Sequence, residues 1–440
     1  MTPPLVYNLF QRLVGPTTRW PEHAERAAAM GFNWLYLNPW HYPGFSGSLY
    51  AVKDYGRLNP LFVPPGADPA SLEPLRDAVS RIAELGVRPM MDLVVNHTAK
   101  DSPLVQEHPD WYLRDEKGEV RSPYVVDPDD PGKVTVWGDL AEIDNEHSPD
   151  RERLWDYWAS LVRESLELGF HGFRCDAAYK VPAALWRRLI EEARSVRPDA
   201  QFFAETLGAP MEDVVALKEA GFDYFFNSSK WWDFREPWAL EQHEELRLIA
   251  PSVAFPESHD TTRLAADTGG DEAVQRQRYA FAAAFSAGVM MTTGYEFGFR
   301  KQVNVVESMP SDWERRHWDL RPFVGRVNRL KLRHPLLQGE GILRAPGGLG
   351  GDTLVLERRV SGEAPDGARG WILVNGSADA PAEVDLADHA TGSPVWTGYR
   401  LFRVCRDAAP EEGEEAAPRV SLEPAEVAYV LPGPEEAVVG

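Results

Sequence analysis

Short apolar runs alternate with longer stretches of helical spacing over the first 335 or so residues of this chain. The eight runs are 5–10, 33–40, 88–97, 171–177, 200–206, 222–227, 253–260 and 289–299. Strands that alternate with helices form parallel sheets, because a parallel connection needs a crossover and a helix supplies it. Eight such units predict that the sheet closes into a (β/α)8 barrel, and the pattern leaves a doubly wound open sheet as the alternative.

Two segments depart from this alternation. Residues 98–146 separate the third strand from its helix, are rich in Asp, Pro and Gly, and form a connection of a length that is usually functional. After Pro335 the chain changes to short β-rich runs separated by Gly, Pro and Asp, such as TLVLERRV at 353–360. We therefore predict a barrel over residues 1–337 with an inserted domain at about 98–146, and a C-terminal antiparallel β-sandwich domain over 338–440.

Charge and cysteine content exclude some classes of partner. The formal net charge is −22, and no basic stripe offsets it, which argues against a nucleic-acid or acidic-membrane partner. Two cysteines, Cys175 and Cys405, are too few for a disulfide framework. The N-terminus has neither the basic start nor the apolar run of a signal peptide, and no stretch of 18 apolar residues occurs. These observations predict a cytoplasmic protein and leave its oligomeric state open.

Polar side chains stand where four of the predicted strands end. They are Asp92, Asn96 and His97 on the third, Arg174 and Asp176 on the fourth, Glu205 on the fifth, and His259 and Asp260 on the seventh. Because barrels of this kind carry their sites at the C-terminal ends of the strands, we expect these groups to meet at one mouth. Each has an ordinary structural interpretation when taken singly, such as an ion pair within a strand or a hydrogen-bonded core pair.

The carboxylates have different predicted environments. Arg174 and Asp176 share one face of a strand, and the guanidinium favours the ionised form that a nucleophile needs. Glu205 follows Phe202 and Phe203, and apolar surroundings raise the pKa of a carboxyl group, so that it keeps a proton to donate. One ionised carboxylate and one protonated carboxyl group are the parts needed to cleave a glycosidic bond with retention.

The segments MDLVVNH, GFRCD, FFAE and ESHD resemble, in order, the four catalytic sequence regions of the α-amylase family of glycoside hydrolases. SLYAVKDYGRLNP, WGDLAEIDNE and GVMMTTGYEFG resemble three further stretches of that family, so the resemblance spans about residues 5–335. It implies a TIM barrel with a short domain B inserted after strand three, and retaining chemistry on α-glucans.

The resemblance also implies roles for individual residues. Asp176 corresponds to the nucleophile, Glu205 to the general acid/base, and Asp260 to the carboxylate that binds sugar hydroxyls and stabilises the transition state. Substrate-binding roles are implied for Tyr50, His97, Arg174, Lys180 and His259. Structural roles near the site are implied for Asp92 and Asn96.

Some positions differ from the family pattern. Many members have Lys-His shortly after the nucleophile, where the histidine helps to hold calcium, but here the pair is Lys180-Val181. Asn96 matches another calcium ligand, yet residues 98–146 supply no obvious set of carboxylate partners. We therefore predict no cofactor, with calcium as the alternative. Ser258 stands where the family often has Asn.

These motifs predict an enzyme that cleaves α-glucosidic bonds of malto-oligosaccharides or glycogen through a covalent glycosyl-enzyme intermediate, by hydrolysis or transglycosylation. One alternative is a maltosyltransferase that uses maltose 1-phosphate to extend α-1,4-glucan, since residues 202–234 loosely resemble that branch. Trp231 and Trp232 in this stretch are either acceptor-site or packing residues. Another alternative is a non-catalytic glycan-binding or transporter-associated relative, which the presence of all three carboxylates opposes.

Overall fold

The structure is a computed structural model that describes residues 2–126, 132–360, 369–389, 396 and 398–433. Eight parallel strands form a closed barrel. They are β1 (Leu5–Leu9), β2 (Trp34–Leu37), β3 (Arg88–Leu93), β4 (Gly172–Cys175), β5 (Gln201–Ala204), β6 (Tyr224–Phe226), β7 (Ser252–Ala254) and β8 (Gly288–Thr292). Because β1 pairs with both β2 and β8, the sheet has no edge. The predicted (β/α)8 barrel is confirmed, and the open-sheet alternative is wrong.

Most of the helices surround the barrel and bury apolar residues against it, whereas the short helix Leu104–Glu107 lies in the segment predicted as domain B and has no buried residue. The α-helices are Trp20–Ala29, Glu73–Glu84, Leu104–Glu107, Arg151–Glu167, Ala183–Val196, Met211–Ala216, Trp238–Leu246, Leu264–Asp267, Glu272–Phe285 and Arg321–Arg333. The segment HSPD at 147–150 predicts Ser148 as the N-cap of the fourth helix, but that helix begins at Arg151 with Asp150 as its cap. Ser148 Oγ instead donates to the carbonyl of Asp110, 2.8 Å away, in the short helical turn Pro109–Trp111 of the inserted segment.

Alternation along β4 separates core from site. Phe173 and Cys175 are fully buried in the apolar layer between the barrel and its helices. Arg174 lies between them on the opposite face and stands beside Asp92 of β3 in the parallel register. A smaller apolar cluster, which includes Trp34 and Phe203, fills the barrel interior. The polar mouth therefore rests on a packed interior rather than on an open pore.

Two-stranded antiparallel sheets lie on the loops that follow β2 and β3. After β2, His41–Pro43 pairs with Val52–Leu58. Within the segment predicted as domain B, His97–Ala99 pairs with Leu140–Glu142, and Tyr124–Val126 pairs with Val134–Val136.

The chain after the barrel folds into antiparallel β-structure, as predicted. One sheet has six strands in the order Ile342–Arg344, Thr353–Arg359, Arg369–Asn375, Val427–Pro432, Tyr399–Phe402 and Glu414–Glu415. A second sheet pairs Ala382–Asp385 with Arg419–Leu422. The acidic stretch at 407–418 predicts a solvated loop, but Glu414–Glu415 within it forms the edge strand of the six-stranded sheet. The proposed domain boundaries stay predictions. None of the helices in the described ranges is long and apolar enough to cross a membrane.

Candidate active site

A buried carboxylate organises the barrel mouth. Asp92 Oδ2 accepts hydrogen bonds from the hydroxyl groups of Tyr36 and Tyr50, each 2.6 Å away. Arg174 Nη1 donates to Asp92 Oδ1 over 2.9 Å. Burial raises the pKa of Asp92 to about 6, and the charge of Arg174 opposes that rise. These contacts fix the positions of Arg174 and Tyr50, two of the predicted substrate-binding residues.

Two further carboxylates lie against the same guanidinium. Arg174 Nη1 donates to Asp176 Oδ1 over 2.6 Å, and Arg174 Nη2 lies 3.8 Å from Glu205 Oε2. Both side chains are 13 % exposed, and both open onto the same cleft. Asp176 and Glu205 follow the adjacent strands β4 and β5, and barrel closure brings both carboxyl groups to the guanidinium of Arg174.

Glu205 is held by backbone as well as by charge. Its Oε1 accepts the N–H of Leu207, and its Oε2 accepts the N–H of Ala177, each over 2.8 Å. Ala177 has φ 40°, a left-handed conformation that is uncommon for a residue with a side chain. This conformation directs the N–H that follows Asp176 toward Glu205. Burial raises the pKa of Glu205 to about 7 despite Arg174 nearby, as its apolar sequence context predicts.

Tyr50 and His259 connect the network to Asp260. The two rings are stacked, with centroids 5.6 Å apart, and Tyr50 Oη lies 2.6 Å from His259 Nε2. His259 Nε2 also lies 3.0 Å from Asp260 Oδ2. Because the Tyr50 hydroxyl donates to Asp92, it accepts from His259, which places the imidazole proton on Nε2. Burial lowers the pKa of His259, which keeps the ring neutral, while Asp260 is 57 % exposed to the cleft.

The other predicted residues lie on the cleft wall. His97 Nε2 is 3.1 Å from the carbonyl oxygen of Tyr50, and burial lowers the pKa of His97. Lys180 stands farther out, where its Nζ donates to the carbonyl of Tyr124 over 3.3 Å. Asn96 also lines the cleft, and its Oδ1 is buried without a hydrogen-bond partner in the described structure.

The cleft has a volume of about 400 Å³ and includes residues that the strand-end pattern does not reveal. They are Trp137, Asp139, Glu142, Tyr179, Val305 and Val306. Trp137, Asp139 and Glu142 belong to the WGDLAEIDNE stretch, so the family resemblance was the signal that pointed to them. Of the two tryptophans considered for acceptor sites, Trp232 is fully buried and packs against Phe281, whereas Trp231 is half exposed.

A buried arginine joins two loops of the cleft wall. Arg12 donates through Nε to the carbonyl of Ser308 over 2.9 Å and through Nη1 to the carbonyl of Gly47 over 3.1 Å. The neighbouring residues Val306 and Ser48 line the cleft. Arg12 could not be identified from the sequence, because it contacts backbone carbonyls of residues distant in the chain, and no side-chain pattern reveals such contacts.

The side chains around Asn96 do not fit a calcium ion. Calcium takes 6–8 oxygen ligands, several of them carboxylates. Glu142 on the adjoining strand is already paired with Arg121 over 2.7 Å, which places a guanidinium in this region. Within the described ranges no group of three or more His, Cys, Asp or Glu side chains is arranged to hold a metal. No step of the chemistry below is therefore assigned to a metal ion.

The raised pKa of Glu205 has a consequence for folding stability. The pKa of its carboxyl group is about 7 in the folded chain, against the ordinary value of 4.5, so the folded chain binds this proton more tightly than the unfolded chain does. Its stabilising contribution is therefore complete below pH 4.5 and is lost as the pH rises through about 7. We expect the free energy of unfolding of the wild type, relative to Glu205→Gln, to fall across that interval. Urea titrations of both proteins from pH 4.5 upward test this, and parallel pH profiles would contradict it.

Sequence comparison finds one family model and several relatives that are similar to this chain. A model of the glucanotransferase domain of glycogen debranching enzyme matches residues 5–124. The α-1,4-glucan:maltose-1-phosphate maltosyltransferase of Burkholderia pseudomallei is 30 % identical over 411 residues, which cover 89 % of this chain and 34 % of that protein. The enzyme of the same name from Arcanobacterium haemolyticum is 25 % identical, with 97 % of this chain and 67 % of that protein covered. This chain thus spans only about a third of the length of the Burkholderia relative.

Solved structures show the same fold over almost the whole chain. An α-amylase from Lactobacillus plantarum has a TM-score of 0.73 at 20 % identity, with 97 % of this chain and 98 % of that chain covered. The α-amylase of Geobacillus thermoleovorans in complex with acarbose has a TM-score of 0.74 at 16 % identity, with the same coverage. At these identities the likeness to the solved structures concerns the fold alone. The chain thus has the fold of α-amylases and is similar in sequence to α-1,4-glucan:maltose-1-phosphate maltosyltransferases and, over residues 5–124, to the glucanotransferase domain of glycogen debranching enzyme.

Proposed function

We propose that this protein is a retaining enzyme that cleaves α-glucosidic bonds of malto-oligosaccharides or glycogen and transfers the glycosyl group to water or to a sugar. The observation that carries the proposal is the contact of one guanidinium, that of Arg174, with both Asp176 and Glu205. Retaining enzymes need a nucleophile and an acid/base that lie close together on the two sides of the scissile bond. The burial that raises the pKa of Glu205 to about 7 supports its assignment as the acid.

The reaction then has two steps. Asp176 attacks the anomeric carbon, the bond from that carbon to the glycosidic oxygen breaks, and the leaving oxygen takes the proton of Glu205. In the second step the Glu205 carboxylate removes a proton from the acceptor hydroxyl, whose oxygen displaces Asp176 from the anomeric carbon. Asp260 is proposed to hold sugar hydroxyls, and Tyr50 to contact the sugar at the cleavage position.

The charges of the cleft favour a neutral donor. Among the described residues that line it, Lys180 is the only cation, whereas five side chains are carboxylates. The carboxylates are Asp139, Glu142, Asp176, Glu205 and Asp260. A phosphate group bound there would be repelled at short range by those of the five groups that are ionised. An uncharged α-glucan carries no such cost.

A second candidate is maltosyl transfer from maltose 1-phosphate to an α-1,4-glucan. The names of the Burkholderia and Arcanobacterium relatives favour it. The leaving group would then be phosphate, and Lys180 is the cleft cation that would contact it. Both candidates use the same two carboxyl groups and differ only in donor and acceptor.

Product analysis separates these candidates. We expect incubation with maltoheptaose to give both shorter and longer malto-oligosaccharides, as transfer to a sugar requires, and Glu205→Gln to give neither. Shorter products alone would identify a hydrolase. Phosphate release with chain growth from maltose 1-phosphate and a glucan primer would establish the second candidate. No turnover of any of these substrates would contradict the proposal and favour a glycan-binding protein.

The compartment is also proposed rather than established. Cys175 and Cys405 are both free thiols, and Cys175 is fully buried. Free thiols agree with a reducing compartment such as the cytoplasm, where malto-oligosaccharides and glycogen are metabolised.

A further inference from the structure

One surface beside the cleft is apolar and exposed. The domain B hairpin, defined as Tyr124–Val126 and Val134–Val136, is a two-stranded antiparallel ribbon. Tyr124 is directly opposite Val136 in the register, and Val134 lies two residues from Val136 on the same face. These three side chains are 49 %, 58 % and 49 % exposed, respectively. Contiguous exposed apolar surface of this kind on a soluble domain marks a binding site.

The hairpin is continuous with the cleft. Trp137 follows the second strand, is 40 % exposed, and lines the cleft together with Pro123. The N–H of Trp137 donates to the carbonyl of Pro123 over 3.1 Å, which extends the hairpin to the cleft wall. Lys180 connects the two, because its Nζ donates to the carbonyl of Tyr124 and lies 5.6 Å from the centre of the Trp137 ring.

The chemistry of this surface suits a sugar chain. Each glucose unit presents apolar C–H faces and polar edges, and the flat rings of Tyr124 and Trp137 match the apolar faces. The formal net charge of −22 opposes binding of an anionic membrane. A chain that leaves the cleft past Trp137 would next meet the exposed face of the hairpin.

We propose that Tyr124, Val134 and Val136 form a binding strip for the part of an α-glucan chain that extends beyond the cleft, so that the enzyme favours long chains over short ones. This inference rests on the proposed function of the cleft. It adds a specificity surface outside the reacting centre.

Direct binding tests the strip without turnover. Calorimetry on the Glu205→Gln variant compares maltoheptaose with maltotriose, before and after Tyr124→Ser and Val136→Thr are introduced together. Both replacements keep the backbone carbonyl that Lys180 contacts, and threonine keeps the β-branched shape of valine. We expect the affinity for maltoheptaose to fall about ten-fold, the effect of losing one buried aromatic contact, and that for maltotriose to stay the same.

Leu248→Ser is the matched control, because Leu248 is 69 % exposed and lies before β7 at the opposite end of the barrel. Equal affinities for maltoheptaose with and without the hairpin replacements would overturn the strip and leave the proposed function standing. The strip would also be overturned if the protein is a dimer that dissociates on these replacements while its affinity for glucan is unchanged, since the hairpin would then bind a second copy of the chain. Failure of the Glu205→Gln reference to bind either sugar would overturn both proposals.

Discussion

Replacement of Asp176 by Asn is expected to lower kcat/KM by roughly 10⁴-fold or more, the order of loss seen when a covalent nucleophile is removed. Asparagine has the same shape and still accepts the hydrogen bond that Arg174 Nη1 donates over 2.6 Å. The network with Asp92 therefore stays in place, and the loss reflects chemistry rather than folding. The measurement is the initial rate on maltoheptaose or an aryl malto-oligosaccharide, beside a thermal unfolding curve for each protein.

Asp77→Asn serves as the control, since Asp77 is exposed on the helix Glu73–Glu84. Mass spectrometry adds a positive test, because a fluorinated glucosyl donor that reacts slowly should attach to Asp176 of the wild type and not to the variant. Activity of Asp176→Asn within ten-fold of wild type, or a sugar attached to another side chain, would place the nucleophile elsewhere.

Replacement of Glu205 by Gln is expected to lower kcat by roughly 10²- to 10⁴-fold on natural glucans, the range for loss of general acid–base catalysis. Donors with a good leaving group need no proton, so their first step should be affected least. Azide, which needs no general base, should restore turnover of such donors and give a glycosyl azide of retained configuration. Glu84→Gln on an exposed helix position is the control.

The pH profile tests the same assignment. Because burial raises the pKa of Glu205 to about 7, the acid form needed in the first step is lost as the pH rises through that value. We expect kcat/KM of the wild type to fall above about pH 7 and the corresponding limb to be absent in Glu205→Gln. A Glu205→Gln variant that keeps this limb and gains nothing from azide would assign the acid to another residue.

The fold was predictable because its signals are local. Apolar alternation along β4 and into the residue that follows it places Arg174 and Asp176 on the face opposite Phe173 and Cys175, and the structure has this arrangement. The apolar residues before Glu205 likewise predict its raised pKa, because the strand that they form buries the start of the loop that carries Glu205.

Predictions for single residues at helix ends and in loops were less reliable. Serine is a residue type that often caps helices, yet Ser148 donates its hydroxyl hydrogen to the carbonyl of Asp110 instead. The neighbours Trp231 and Trp232 have the same side chain but different burial, because only Trp232 points into the core formed with the helix Glu272–Phe285. Such choices depend on what the rest of the chain places nearby, and no short window contains that information.

The sequence by itself determined the barrel, the strand ends that carry the polar groups, and the resemblance to the α-amylase family. The tertiary structure alone decided the contacts between them, such as Tyr50 with His259, which are 209 residues apart. It also decided that Arg121 pairs with Glu142 beside Asn96, and that Lys180 joins the cleft to the domain B hairpin. The physical reason is that periodicity encodes which face of a strand or helix is buried, whereas distances between side chains on different elements are set only when the barrel closes and its loops pack.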